Sequence, residues 1–356
     1  MGAQSDLALP SPLRVNTPAA IEYVSIIVPM RNEAAHVEQL IADIAAQDFA
    51  DKLEVFVADG RSTDDSGLRA TSAGKRWGIN LTVLDNPGER TTTGLNACIR
   101  RARGELIVRM DCHARYPSDY VRRCAVVSEE TGAWNVGGPT LASGTTATER
   151  AAACAMESPF GGIGWTRGVR DTRTEVDTVY CGAFRPEAFA RAGLFDESLR
   201  CNEDEELNLR LRRAGGRIVL DSSIRATYTP RGTVRAIFRQ YYRYGLWKVA
   251  VIRKHRRSFG VRSVVPLIFV ASLLGLSIAA LLQVPAALLL LAAEFLAYAV
   301  LALAFGARSV RRRREPPSLI PRVLAVFLSF HLAYGLGFLD GFARALVRWL
   351  RPMDAA

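Results

Sequence analysis

An α/β domain with a mostly parallel sheet, followed by C-terminal transmembrane helices, is the architecture this sequence predicts. Two observations carry the prediction. Short β-branched runs alternate with helical patterns up to about residue 230, the pattern of a parallel sheet with crossover helices. Beyond that, no charged residue stands between Arg262 and Glu294, and about 20 apolar residues suffice to cross the hydrocarbon core of a bilayer.

The first strand is expected over residues 24–29 (VSIIVP), a β-branched run that stops at a proline. A helix follows, with Val37, Leu40, Ile41 and Ile44 at helical spacing. Residues 53–58 (LEVFVA) form the second strand, closed by DGRSTDD, and a helix covers about 65–77. The third strand is 80–84 (NLTVL), TTTGLNACIRRA opens another helix, and ELIVRMD is the fourth strand. Residues 136–175, rich in Gly, Ser and Thr, read as loop. In such sheets ligands bind at the carboxyl ends of the strands. Pro29, Asp59 and Asp111 each stand at one of those ends.

The charge is uneven. The net charge is +11, yet no acid occurs from Ser222 to Ala293, where Arg231, Arg235, Arg239, Arg243, Lys248 and further basic residues fall. Directly before a membrane segment, lipid headgroups and a diphosphate ligand are the expected partners, and nucleic acid is not. Six scattered cysteines without C-x-x-C spacing argue against a zinc knuckle or a disulfide framework. The first 20 residues, with three prolines and no basic stretch before an apolar core, read as a disordered tail.

Four stretches carry candidate chemistry. DGRSTDDS (59–66) follows a strand; its acid can accept hydrogen bonds from a base or ribose, or the segment is a loop with a helix N-cap. In RMDCHARYP (109–117), Asp111 and His113 are two apart, and in an extended chain such residues face one side. They suit a divalent ion, imidazole tilting the choice towards manganese over magnesium; alternatively they are an ordinary polar strand end. Glu203, Asp204, Glu205 and Glu206 open a helix, which suits its dipole. Their mutual repulsion would raise at least one pKa, as a general base requires. In RQYYRYGLWK (239–248), arginines at 231, 235, 239 and 243 line one helical face, fit for lipid phosphates or for a bound diphosphate.

The order of these motifs resembles an inverting family-2 glycosyltransferase of the GT-A type, over about residues 22–248. The matching stretches are VSIIVPMRNE, VADGRSTDDS, TTGLNACI, RMDCHARY, CGAFRPEAFARAGLFDE, NEDEELNLRLRRAGG and RQYYRYG. Within that family the chain is similar to the membrane-anchored succinoglycan-type glucosyltransferases, in which D-x-H replaces D-x-D. The resemblance implies a GT-A (Rossmann-like) catalytic domain over 21–230. Pro29, Arg31 and Glu33 would line the nucleotide pocket, and Asp59 would contact the base. Asp111 and His113 would form the metal and diphosphate motif. Asp204 would deprotonate the acceptor hydroxyl, and Gln240 and Arg243 would hold the diphosphate. Gly182, Ala183, Glu203 and Tyr244 would border the acceptor; Tyr244 stands where the related motif has Trp. The implied donor is a nucleotide sugar such as UDP-glucose, the acceptor a lipid-linked saccharide or polysaccharide. Competing readings are a polyprenyl-phosphate glycosyl transferase, a nucleotidyltransferase and a membrane adaptor with a degenerate transferase domain.

Residues 231–262 read as a basic interface helix region and 263–356 as the membrane part. Residues 264–282 and 286–306 read as two spans around a QVP turn. RSVRRRRE (308–315) marks the cytoplasmic side, which puts the catalytic domain in the cytosol of a bacterial-type plasma membrane. Residues 323–339 span or lie in the interface, and charge favours the interface. Three segments are too few to form a polymer passage without a homo-oligomer.

Overall fold

The computed structural model describes residues 21–49, 52–161, 173–255 and 261–350. The tail expected over 1–20, and Arg256, Arg257 and Arg351, lie outside the described residues.

Four parallel strands form the first half of the sheet: β1 (Val24–Met30), β2 (Leu53–Asp59), β3 (Leu81–Asp85) and β4 (Leu106–Arg109). The apolar side chains of β1, β2 and β4 are buried on both faces, as crossover helices require, while β3 forms the more exposed edge. Those helices are α1 (Val37–Ala45), α2 (Ser66–Trp77) and α3 (Thr91–Ile99). The spatial order β3-β2-β1-β4 reverses at β1. The carboxyl ends of β1 and β4 therefore flank a topological switch point, where open α/β sheets bind ligands.

Beyond β4 the sheet becomes mixed. Strand β6 (Asn135–Gly137) follows helix α4 (Tyr120–Thr131) and runs parallel to β10 (Ile218–Asp221). Strand β9 (Ala183–Phe184) is antiparallel to both β4 and β6, and β8 (Arg173–Glu175) closes the edge against β10. A small second sheet joins β5 (Ala114–Arg115), β11 (Ala226–Tyr228) and β7 (Thr140–Ala142). Its role is positional. Tyr228 pairs with Ala114 and the Thr229 N–H donates to the His113 carbonyl, so the chain leaving β11 passes beside the Asp111–His113 turn.

The expected loop over 136–175 is corrected. It contains α5 (Ala147–Glu157), nucleated by a capping box in which Thr146 accepts from the Glu149 N–H and Glu149 accepts from the Thr146 N–H. Its buried face is a run of small residues, Ala151 to Ala155 with Cys154 among them, closed by Met156.

Two further helices of the catalytic domain are α6 (Pro186–Ala192) and α7 (Glu203–Arg213), before the long α8 (Val234–His255). Helices α9 (Val261–Leu281) and α10 (Ala287–Arg312) form an apolar hairpin around Gln283 and Ala286, both in left-handed conformation. The last helix, α11 (Ile320–Leu350), is continuous and longer than the 17 residues expected of it. All three are long and apolar enough to cross a membrane, but 56% of the apolar window of α11 is buried within the molecule, against 11% and 6% for α9 and α10. Helix α11 packs on α8 by backbone approach. A Cβ added at Gly245 would lie 2.0 Å from the Tyr334 carbonyl oxygen, and one at Gly337 would lie 2.0 Å from that of Tyr242. Small residues at such crossings are the packing device of membrane helices.

Candidate active site

Arg109 is the centre of the site, and the sequence motifs gave it no role. It is the last residue of β4, a cation in an otherwise apolar strand, and only 4% exposed. Its Nε and Nη2 grip Asp111 Oδ1 and Oδ2 at 3.0 and 3.1 Å. Its Nη1 reaches Asp204 Oδ1 at 2.8 Å and Glu203 Oε1 at 3.2 Å. One buried guanidinium thus joins the end of β4 to the start of α7, using the fork geometry that only Arg offers. The detectable signal was the Arg in LIVR.

The four acids of α7 do not face one another's charge unaided. Glu203 and Asp204 share Arg109, Glu205 pairs with buried Lys248 of α8, and Glu206 takes Arg210 at 2.8 Å, Lys254 at 2.7 Å and His255 at 2.8 Å. Glu206 is fully buried, and these partners hold its pKa below the usual value although burial opposes them. Asp204 differs. Burial pushes its carboxyl up to about 7, against the pull of Arg109 and with help from Glu203 and Asp111. Repulsion among the acids, the expected cause, is thus secondary to desolvation.

Asp111 and His113 do not share one face. Strand β4 ends at Arg109, and the Ala114 N–H donates to the Asp111 carbonyl, closing a turn. The extended geometry that would align residues two apart is absent there. Asp111 turns to Arg109 and also accepts from the Tyr180 hydroxyl at 2.9 Å, while Arg109 holds its carboxyl below the usual range despite burial. His113 turns towards β1: its Nε2 lies 3.1 Å from Glu33 Oε1 and 3.2 Å from Arg231 Nη1. Burial, with Arg231 and His36, pushes the imidazole down to about 4, so it is neutral. Burial pushes Glu33 up to about 7.

The residues expected to hold the donor stand at the ends of β1 and β2. Asp59 accepts from the Ser62 N–H at 3.0 Å and the Ser62 hydroxyl at 2.6 Å. Arg31 is exposed and pairs with Glu89 at 2.8 Å; Pro29, within β1 and paired with Ala58 of β2, is half-buried.

The remaining expected residues divide. Arg243 is exposed, with one N–H towards the Arg200 carbonyl at 3.4 Å. Gln240 donates to the hydroxyls of Tyr244 at 2.8 Å and Tyr228 at 3.3 Å, and Tyr244 takes the Asn202 amide on its carbonyl at 3.0 Å. Tyr244 therefore braces the start of α7. Gly182 and Ala183 offer no surface for an acceptor: Ala183 is core in β9, and a Cβ on Gly182 would meet Asn135 Oδ1 at 2.1 Å. The single arginine face is also corrected. Arg231 precedes α8 and serves the His113 turn, leaving Arg235, Arg239 and Arg243 exposed on the helix.

The residues also bear on a divalent metal. Asp111 already takes two bonds from Arg109, one from Tyr180 and a weak one from the Cys181 thiol, close to the roughly four a carboxylate accepts. A cation there has to exchange one of these. Glu33 fits without exchange, since its Oε2 is buried and without a partner, and neutral His113 offers a lone pair.

The sequence profile described as glycosyl transferase family 2 matches residues 25–189. Those residues are a family 2 glycosyltransferase domain. Over 88% of this chain and 93% of its relative, the sequence is 29% identical to succinoglycan biosynthesis protein ExoA of Rhizobium meliloti (strain 1021). It is 24% identical, over 90% of this chain and 97% of the relative, to a dolichyl N-acetyl-alpha-D-glucosaminyl phosphate 3-beta-D-2,3-diacetamido-2,3-dideoxy-beta-D-glucuronosyltransferase of Methanococcus voltae. Among solved structures, mannosyltransferase PcManGT from Pyrobaculum calidifontis, in complex with GDP-Man and Mn2+, superposes with a TM-score of 0.56 at 21% identity, covering 86% of each chain. The fold of this glycosyltransferase is therefore GT-A-like, with three C-terminal helices added that are able to span a membrane.

Proposed function

We propose that this glycosyltransferase moves a hexose from a nucleoside diphosphate sugar, UDP-glucose, to a lipid-linked saccharide or polysaccharide in cell-envelope or exopolysaccharide synthesis. The catalytic domain works on the cytoplasmic face of a bacterial-type plasma membrane. The observation that carries this reading is Asp204: a buried carboxyl raised to about 7 that shares Arg109 with Asp111 at the end of β4. A base poised near neutral pH is what deprotonation of a sugar hydroxyl requires.

In this reading Pro29, Arg31, Glu33 and Asp59 hold the nucleoside, and Asp111, Gln240 and Arg243 face the diphosphate. Glu203 and Tyr244 border the acceptor. Asp204 takes the proton of the acceptor hydroxyl as its oxygen bonds to the anomeric carbon. The bond from that carbon to the phosphate oxygen breaks in line, its electron pair leaving on the nucleoside diphosphate, and the configuration inverts. Arg243 stabilises the leaving charge. A manganese or magnesium ion would be held by Asp111 in exchange for one of its bonds to Arg109, and would supply further charge neutralisation there. Support for the lipid-linked acceptor comes from the exposed arginines of α8 beside the membrane helices and from the dolichyl-linked substrate named for the Methanococcus relative.

The test is a nucleotide-sugar screen on wild type and Asp204→Asn. UDP-glucose is expected to raise the melting temperature of both proteins, and only wild type transfers sugar, with a loss in the variant of about a thousandfold. Turnover near the wild-type rate in Asp204→Asn overturns the base; stabilisation by another nucleotide sugar and none by UDP-glucose overturns the donor.

A further inference from the structure

The lone pair on His113 Nε2 is contested. Arg231 Nη1, at 3.2 Å, is a donor and needs that lone pair as an acceptor. Glu33 Oε1, at 3.1 Å, is a carboxylate oxygen and needs a proton on the same nitrogen. A single ring nitrogen cannot serve both. On the far side of the same carboxylate, Glu33 Oε2 is buried with no partner, an arrangement that ordinarily costs free energy. His36 completes the group: one ligand atom from each of Glu33, His36 and His113 lies within 4.8 Å of the others. The His36 ring stands edge-on to that of His113, centroids 5.1 Å apart, and no hydrogen bond to it is present among the described residues.

We propose that Glu33, His36 and His113 form a site for a borderline transition-metal cation such as zinc or cobalt(II), with His36 as a ligand and Arg231 as the cation displaced on binding. A metal ion accepts the His113 lone pair and the Glu33 oxygens together, which resolves the contest. Two imidazoles and one carboxylate are the donor set of many zinc sites and a poor one for magnesium, which prefers oxygen. Ligand atoms on a tetrahedral zinc stand about 3.4 Å apart; Glu33 Oε1 and His113 Nε2 already stand 3.1 Å apart, so any further approach falls to His36. The exposed ring of His36, the N-cap residue just before α1, is free to make that movement. The site rests on the reading of His113 as a metal ligand, but not on Asp111, a nucleotide or turnover.

The experiment uses the full-length chain without a polyhistidine tag, in detergent micelles and with no nucleotide sugar. Cobalt(II) is titrated and followed by its visible d–d absorption, then displaced with zinc. One saturable cobalt is expected, displaced by zinc and not by magnesium at the same concentration. His36→Ala, at an exposed position whose side chain makes no cap bond, weakens cobalt binding at least tenfold. Arg231→Ala tightens it, a change that a purely structural arginine would not produce. Asp111→Asn leaves it within about threefold. The proposal is overturned if no saturable cobalt binds, if His36→Ala binds as wild type does, or if Asp111→Asn abolishes binding, which moves the metal to the diphosphate motif. Because no donor is present, failure of the proposed transfer reaction leaves this result intact.

Discussion

The two sides of the active site hold their acids in opposite ways. On the base side, Asp111, Glu203 and Asp204 converge on one buried guanidinium and are largely shielded from water. On the donor side, Asp59 is fixed by its own turn through Ser62, and Arg31 and Glu89 pair at an exposed edge. The lesson is a division of labour. Burial raises the Asp204 carboxyl on one side, while the proposed nucleotide pocket keeps solvated groups that exchange water for ligand cheaply.

Removing the shared cation should break this contrast most severely. Arg109→Ala leaves three carboxylates with no common partner in a buried site, a loss of about 3–5 kcal/mol by analogy with other broken buried pairs. Chemical denaturation should show it as a lowered midpoint; an unchanged midpoint would mean that the acids find other partners. Arg109→Lys keeps the charge without the fork and is expected to fold with impaired transfer.

The pH profile sharpens the comparison next. If Asp204 is the base, kcat/KM should rise with pH through about 7, well above an ordinary carboxylate. Its folded pKa lies above its unfolded one, so its contribution to stability is present at acid pH and is lost as pH rises through about 7. Asp204→Asn should therefore gain in melting temperature relative to wild type between pH 5 and pH 8. An activity profile flat from pH 5 to 8 would remove the tuned base.

The donor side should respond more mildly. Asp59→Ala is expected to raise the donor KM about tenfold, or about 1.4 kcal/mol, with a small effect on kcat; a fall in kcat alone would place Asp59 outside the nucleotide pocket. Arg31→Ala, which breaks an exposed pair, should cost less than about 1 kcal/mol of stability, and a larger loss would show that the edge is structural.

The membrane helices carry a parallel contrast that hydropathy did not resolve. Leu281, Leu288 and Leu289 of the hairpin region are exposed by 83%, 70% and 72%, a surface that only lipid or another chain satisfies. Helix α11, of similar composition, buries Phe327, Phe330 and Phe338 against the catalytic domain and its neighbours. It also bonds to α8 through Tyr242 and Asp340 at 2.6 Å. The basic run after α10 is likewise partly used inside the molecule, where Arg313 pairs with Glu157 and bonds the Ala142 carbonyl.

What the sequence alone determined was local. Short β-branched runs, period-3.6 patterns and a long uncharged stretch placed β1 to β4, their crossover helices and the α9–α10 hairpin, because those signals are local in the chain. They also set Pro29, Asp59 and Asp111 near strand ends, hence on one rim. The tertiary structure decided which charges meet. Arg109 finds Asp204 across 95 positions and Arg231 finds His113 across 118, separations at which no periodicity is informative. It also decided that Asp111 and His113 face apart, since the chain turns where extension was expected, and that α11 is cement rather than a bare span, since only the partners of a helix distinguish lipid from protein.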